Sequence, residues 1–301
     1  MENKTAPNWN LSLLYSSIDD PAIDAAIDRA NVLAEAFAEQ WRGRIILASA
    51  TELSQAIASY EELQRVGLKP YFFAELLFYA DSLSVGHQAL LASIRERFSL
   101  ISEKLIFFEL DILQIEDEAF CLLLAETVLG PWTHYLHQLR KGAPYSLSEE
   151  VEQALIRKDL SGKEGFVQLF DELTSSFSFR FTRPDEKAPS ELSGEELLAY
   201  LYHQDGKVRE EAFSVFLNKH REHALVLTSC FNNLLLDHER EGDLRGYPEL
   251  MTPTHLSCET EPLMVEQMMK VSEQNYPLAR DYYRLKQELL GLAIMKNTDL
   301  Y

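Results

Sequence analysis

From Gly86 to Ile115 the apolar residues Leu90, Leu91, Ile94, Phe98, Ile101, Leu105 and Phe108 return every three or four positions. That is the period of an α-helix with one buried stripe, and its length predicts an unusually long helix. A helix of that length needs partners along its whole stripe, so the rest of the chain is read first for more helices. Gly (12) and Pro (11) are sparse in 301 residues, which disfavours a many-turned β fold. The expected class is all-α.

The other segments agree. Asp20-Pro21 caps and opens a helix that runs past Phe37 and Trp41 to Gly43. A second helix is expected from near Thr51, through Ile57, Tyr60, Leu63 and Val66, to a break at Gly67, and a third from Pro70 to Val85. Glu118 to Arg140 reads as helix interrupted at Gly130-Pro131, Ser148 as the cap of another, and Gly165 to Thr174 as a short one. Ser176-Phe-Ser-Phe-Arg-Phe181 alternates strictly, the mark of a half-buried strand, and Ser190-Glu-Leu192 is its expected partner across a Pro-rich connector. Helices are then predicted after the Ser193 cap to Tyr202, from about Lys207 to Glu241 without interruption, and from Glu261 to Gln274, with 242–259 left as loop. The long one should turn Val208, Ala212, Val215, Phe216, Ala224, Leu227, Phe231 and Leu235 inward.

Near the carboxyl end, Pro277 suits the first turn of a helix and Gly291 its end. Leu278, Tyr282, Leu285, Leu289 and Leu292 form one apolar face between them, and such a face requires a partner. The expected organisation is an amino-terminal helical domain over 1–192, and over 193–301 the start of a second domain.

The net charge of −20 disfavours nucleic acid and anionic membranes as main partners, because both repel an acidic surface. The opening residues have no apolar signal region, and the longest uncharged apolar run, Ala224 to Leu236, is too short to span a bilayer. Cys121, Cys230 and Cys258 are odd in number and lack CxxC spacing, which fits a reducing cytoplasm.

The chemistry-bearing motifs are incomplete. His238-Glu239-Arg240-Glu241-Gly242 begins like HExxH, where two histidines one turn apart grip zinc, but the fifth position is Gly242. It reads better as a charged helix end with Gly242 as the C-cap. His134/His137 and His220/His223 share helix faces at i,i+3, yet no Glu-x-x-His accompanies them, so partly buried or solvated histidines are the simpler account. Glu116-Asp-Glu118 and Glu149-Glu150 stand at helix starts, where the dipole favours acids. No catalytic, cofactor-binding or metal residue is assigned.

Several stretches together resemble the oligoendopeptidase F branch of the thimet-type zinc metallopeptidases. They are Trp9-Asn-Leu-Ser-Leu-Leu-Tyr15, Phe107 to Glu118, Ser146 to Glu150, Phe170 to Ser176, Arg245-Gly-Tyr-Pro248 and Asn275 to Arg284, in that family's order. The resemblance implies an almost all-α, clam-like enzyme whose channel admits short peptides, with the opening helices of a zincin-type catalytic domain following the helical one. It also implies a zinc bound by HExxH histidines and a downstream glutamate, with the HExxH glutamate as base. That motif falls beyond the Asp-Leu-Tyr segment in the family. The chain is therefore expected to bind no zinc and to be inactive alone, as a truncated or divided gene product, with a complementary carboxyl-terminal polypeptide as possible partner. The alternative is a non-catalytic helical peptide-binding or scaffold protein.

Overall fold

The computed structural model describes residues 9–300. After a 3₁₀ turn at Leu11–Leu13 come α1 (Pro21–Trp41), α2 (Ala50–Ala80), α3 (Val85–Leu113) and α4 (Asp117–Ala125). A 3₁₀ stretch at Thr127–Trp132 leads to α5 (Thr133–Lys141), then α6 (Glu149–Asp159) and α7 (Lys163–Ser175). Strands β1 (Phe179–Phe181) and β2 (Ser190–Leu192) follow, then α8 (Gly194–Leu198), α9 (Gly206–Glu222) and α10 (Ala224–Arg245). The series ends with α11 (Thr252–Ser257), α12 (Pro262–Gln274) and α13 (Tyr276–Leu289). The class is all-α with one short β-hairpin, as the periodicity predicts.

The chain forms two compact units. The first holds Gln168 and the described residues before it, together with Glu239–Pro248; the second holds Leu169–His238 and the described residues from Glu249 onward.

In the first unit, α1, α2 and α3 pack pairwise around one core. Asp20 caps α1 through the Ala22 N–H, and Ser49 and Glu52 close a capping box on α2. The Phe37 ring meets Phe108 edge-on at 5.1 Å, and Tyr60 lies 5.0 Å from Phe108. Phe37 and Phe108, both buried, each contribute about 1.5–3 kcal/mol of burial. The stripe predicted for α3 is the one it buries: Leu91, Ile94, Ile101, Leu105 and Phe108 are all in the core.

The break expected at Gly67 does not occur. α2 runs continuously through Gly67 and Pro70, both buried. A Cβ on Gly67 would meet the Phe98 ring at 2.9 Å and the Ala30 Cβ at 3.4 Å. The glycine is there for close approach of α1 and α3, not to stop the helix. Pro70 leaves the Val66 carbonyl without its helical donor, but the burial of Leu63, Phe73, Ala74 and Phe78 around it outweighs that loss.

In the second unit the hairpin pairs Phe179 with Leu192, Arg180 with Glu191 and Phe181 with Ser190. Phe177, Phe179, Phe181, Leu192, Leu197 and Ala212 form its core, with Val208, Val215 and Phe216 packed alongside. The uninterrupted helix expected from Lys207 to Glu241 is two helices, broken at His223 (φ −103°, ψ 13°). The last turn of α9 is cationic, which suits a helix carboxyl end, and the His223 ring stacks on Phe177 at 4.6 Å instead of continuing the helix. The inward face predicted for its second half fails as well: Phe231 is 62% and Leu235 52% exposed. Residues 242–259 are only partly loop, because α10 reaches Arg245 and α11 occupies Thr252–Ser257.

Candidate functional site

The HExxH-like stretch lies in the last turns of α10. His238 is exposed, and its Nε2 meets the Leu250 carbonyl at 2.7 Å. Gly242 does not end the helix; Gly246 does, with φ +69°. The Gly246 N–H bonds the Asp243 carbonyl at 3.3 Å and the Tyr247 N–H bonds the Gly242 carbonyl at 3.1 Å, the paired bonds of a Schellman cap. The C-cap is therefore four residues later than the expectation, and Gly242 is an ordinary helical position.

Just beyond it, Arg245 gathers the first unit's main polar network. Its Nη1 and Nη2 grip the two oxygens of Glu152 at 2.8 and 3.0 Å, and its Nε meets Glu241 at 2.9 Å. Glu241 also holds Lys163 at 3.2 Å, and Lys163 holds Asp159 at 2.6 Å. Glu152 further accepts the Leu147 N–H at 3.1 Å, and the Tyr145 and Tyr247 rings meet at 4.7 Å. Its hydrogen bonds to Glu152 raise the Arg245 pKa, so it stays a fixed cation. Burial opposes the Glu241 charge, but its bonds to Arg245 and Lys163 win and hold its carboxyl below the usual range. Two stretches singled out in the sequence, Ser146 to Glu150 and Arg245 to Pro248, thus meet here. Their role is to tie the end of α10 to α6.

Beside this network lies a perturbed carboxyl. Burial raises the Glu109 pKa; its Oε1 accepts the Tyr135 hydroxyl at 3.2 Å. Burial, reinforced by Glu109, pushes Tyr60 up to about 12. Sequence reading missed this group because Glu109 sits among core-facing residues with no motif around it.

The second unit has its own hub. The Arg209 Nη2 pairs with Asp299, its Nε bonds the Thr298 carbonyl at 2.6 Å, and its Nη1 bonds the carbonyls of His203 and Gln204 at 2.7 and 3.0 Å. Lys296 adds an ion pair to Glu210 at 2.6 Å. Hydrogen bonds from the Lys296 N–H and from Arg209 hold the Asp299 carboxyl below its usual range.

His134 and His137 are exposed on α5. The His220 ring bonds the Phe216 carbonyl at 2.9 Å and packs against Phe177 and Phe216, while His223 stacks on Phe177. All three cysteines are free thiols; Cys230 is buried, Cys121 and Cys258 exposed. Glu116, Asp117 and Glu118 open α4 and Glu149 and Glu150 open α6, where their charge favours the helix start. Among the described residues no group of three or more His, Cys, Asp or Glu side chains is arranged to hold a metal ion. The zinc of the resembled family does not fit the residues present.

What the carboxyl-terminal helices do present is apolar surface. On α13, Leu278 (71%), Tyr282 (58%), Leu285 (54%) and Leu289 (77%) all face solvent. Leu263, Met264, Met268 and Met269 do the same on α12. These are exposed patches of the kind that mark interaction surfaces.

Residues 111–179 match a family model described as oligopeptidase F. The chain is 22% identical over 244 residues to group B oligopeptidase PepB of Streptococcus agalactiae, covering 80% of this chain and 40% of that protein. The chain is thus similar to oligoendopeptidase F-type proteins. Its fold is similar to the crystal structure of oligoendopeptidase-F from Enterococcus faecium, with a TM-score of 0.77 at 22% identity over 92% of this chain. The chain spans 40% of the length of the curated relative and 56% of that crystal structure. The similarity is to the amino-terminal portion of such proteins. No helix among the described residues is long and apolar enough to cross a membrane.

Proposed function

We propose that this chain supplies the amino-terminal portion of a zinc metalloendopeptidase acting on short peptides, and that alone it neither holds zinc nor cleaves. The observation that carries this reading is the family match joined to an HExxH-like stretch whose fifth position is Gly242. In this reading 1–192 is the helical domain and 193–301 the opening of the catalytic domain. Zinc and the water-activating glutamate come from a polypeptide segment carrying HExxH. That segment covers the apolar faces of α12 and α13. Neither nucleic acid nor membrane is a partner, and the free thiols suit a reducing cytoplasm.

The test is zinc analysis and a quenched fluorogenic peptide assay on the purified 301-residue chain. The expected result is no stoichiometric zinc and no cleavage, with chelator-sensitive cleavage appearing once an HExxH-bearing segment of a family member is added. Chelator-sensitive cleavage by the chain alone overturns the proposal. A second reading, a non-catalytic peptide-binding module, is favoured by the methionine-rich face of α12, since methionine packs adaptably against varied ligands. Saturable binding of short peptides without any restored cleavage would select it.

A further inference from the structure

On α12, Met264, Met268 and Val271 fall at i, i+4 and i+7, which puts them on one face of the helix. All three are open to solvent: Met264 is 65%, Met268 59% and Val271 54% exposed. Met295, beyond α13, is less exposed than either methionine of the stripe. None of the three side chains carries a polar group stronger than a thioether, so what they offer a partner is apolar area. Under the proposed function that partner is the HExxH-bearing segment. The chain spans 40% of the curated relative's length, and the remaining length is ample to supply it.

A thioether differs from the leucines of α13 in one respect: it can be oxidised. A hydroperoxide delivers one oxygen to it. The sulfur lone pair attacks the peroxide oxygen, and the S–O bond forms as the O–O bond breaks. The proton on the transferred oxygen passes to the departing hydroxide, which leaves as water. Sulfur gives up two electrons and the peroxide takes them. The product is a polar sulfoxide in place of a flexible apolar side chain.

We propose that Met264 and Met268 form a reversible oxidation site whose sulfoxides close the α12 face to the HExxH-bearing segment. The identity of the occupant rests on the proposed function. Once the segment is seated, both sulfurs are covered, so a hydroperoxide acts on the unassembled chain.

The test treats the purified chain with hydrogen peroxide, maps the added oxygen by peptide mass spectrometry, and measures binding of the HExxH-bearing segment by calorimetry. Met264 and Met268 should be oxidised ahead of Met295. Binding should weaken at least about tenfold, because the sulfoxide oxygens must then be buried without donors. Methionine sulfoxide reductases of both stereospecificities should restore it. Dithiothreitol, which reverses disulfides formed by the exposed Cys121 or Cys258, should not. In a chain carrying Met264→Leu and Met268→Leu, peroxide should change the affinity by less than about twofold. Four results overturn the inference alone: oxidation of Met295 as fast as of the α12 pair, undiminished binding after oxidation, restoration by dithiothreitol, or full peroxide sensitivity in the leucine variant. Failure of the untreated chain to bind the segment overturns the proposed function and this inference together.

Discussion

α3 and α13 carry the same kind of apolar stripe, and they end in opposite situations. On α3 the residues Leu91, Ile94, Ile101 and Phe108 are almost wholly buried, because α1 and α2 lie against them. On α13 the residues Leu278, Tyr282, Leu285 and Leu289 are more than half exposed. Periodicity therefore reports that a face is meant to be covered. It does not report whether this chain supplies the cover. The first unit buries its stripes within its own core, and the α12–α13 stripes of the second unit lie exposed.

Substitutions should separate the two regions sharply. Phe108→Ala should cost about 3–5 kcal/mol in urea unfolding, the price of an unfilled aromatic cavity, while Leu285→Ala should stay within about 0.5 kcal/mol. A large loss at Leu285 in the isolated chain would break the comparison. Arg245→Met should come next, at about 3 kcal/mol, because it strands the buried Glu152 carboxylate; a simultaneous Glu152→Gln should recover much of it.

The acids of the two units should respond to pH in opposite directions. Glu109 has a folded pKa raised above its unfolded value, so it binds its proton more tightly in the fold. Its penalty is absent below about pH 4.5 and grows as pH rises through the folded pKa, so Glu109→Gln should stabilise the protein at pH 7 and leave it unchanged in acid. Asp299 has a folded pKa depressed below 3.8, so its stabilising contribution is complete above that pH and is lost on further acidification. Asp299→Asn should remove that part of the acid transition. Unfolding curves across pH check both. A small loss belongs to Gly246→Ala, where φ is +69° and nothing crowds a Cβ, so only backbone strain of about 1 kcal/mol is expected.

Much of this fold was legible in the sequence, and the failures have physical causes. Helix starts at Asp20 and Ser193 and the hairpin at Phe179–Phe181 follow from local chemistry that tertiary packing did not override. Gly67 and Pro70 misled because a breaker can also serve a close helix crossing, and only the neighbour, Phe98, reveals which. The break at His223 was invisible because neither Gly nor Pro marks it; ring stacking on Phe177 does. Gly242 looked like a cap because Gly246 offers the same chemistry one turn later. Of the site, the incomplete zinc motif was readable residue by residue. The Arg245 network was not, since it assembles groups distant in the chain.

Amide hydrogen exchange on the purified chain, resolved by peptide, tests the contrast most directly. Amides of α2 and α3 around Leu63, Phe73, Leu105 and Phe108 should be protected to near the global unfolding limit, while those of α12 and α13 exchange far faster through local opening. Equal protection in both regions would mean that α13 is already covered, and would contradict the account.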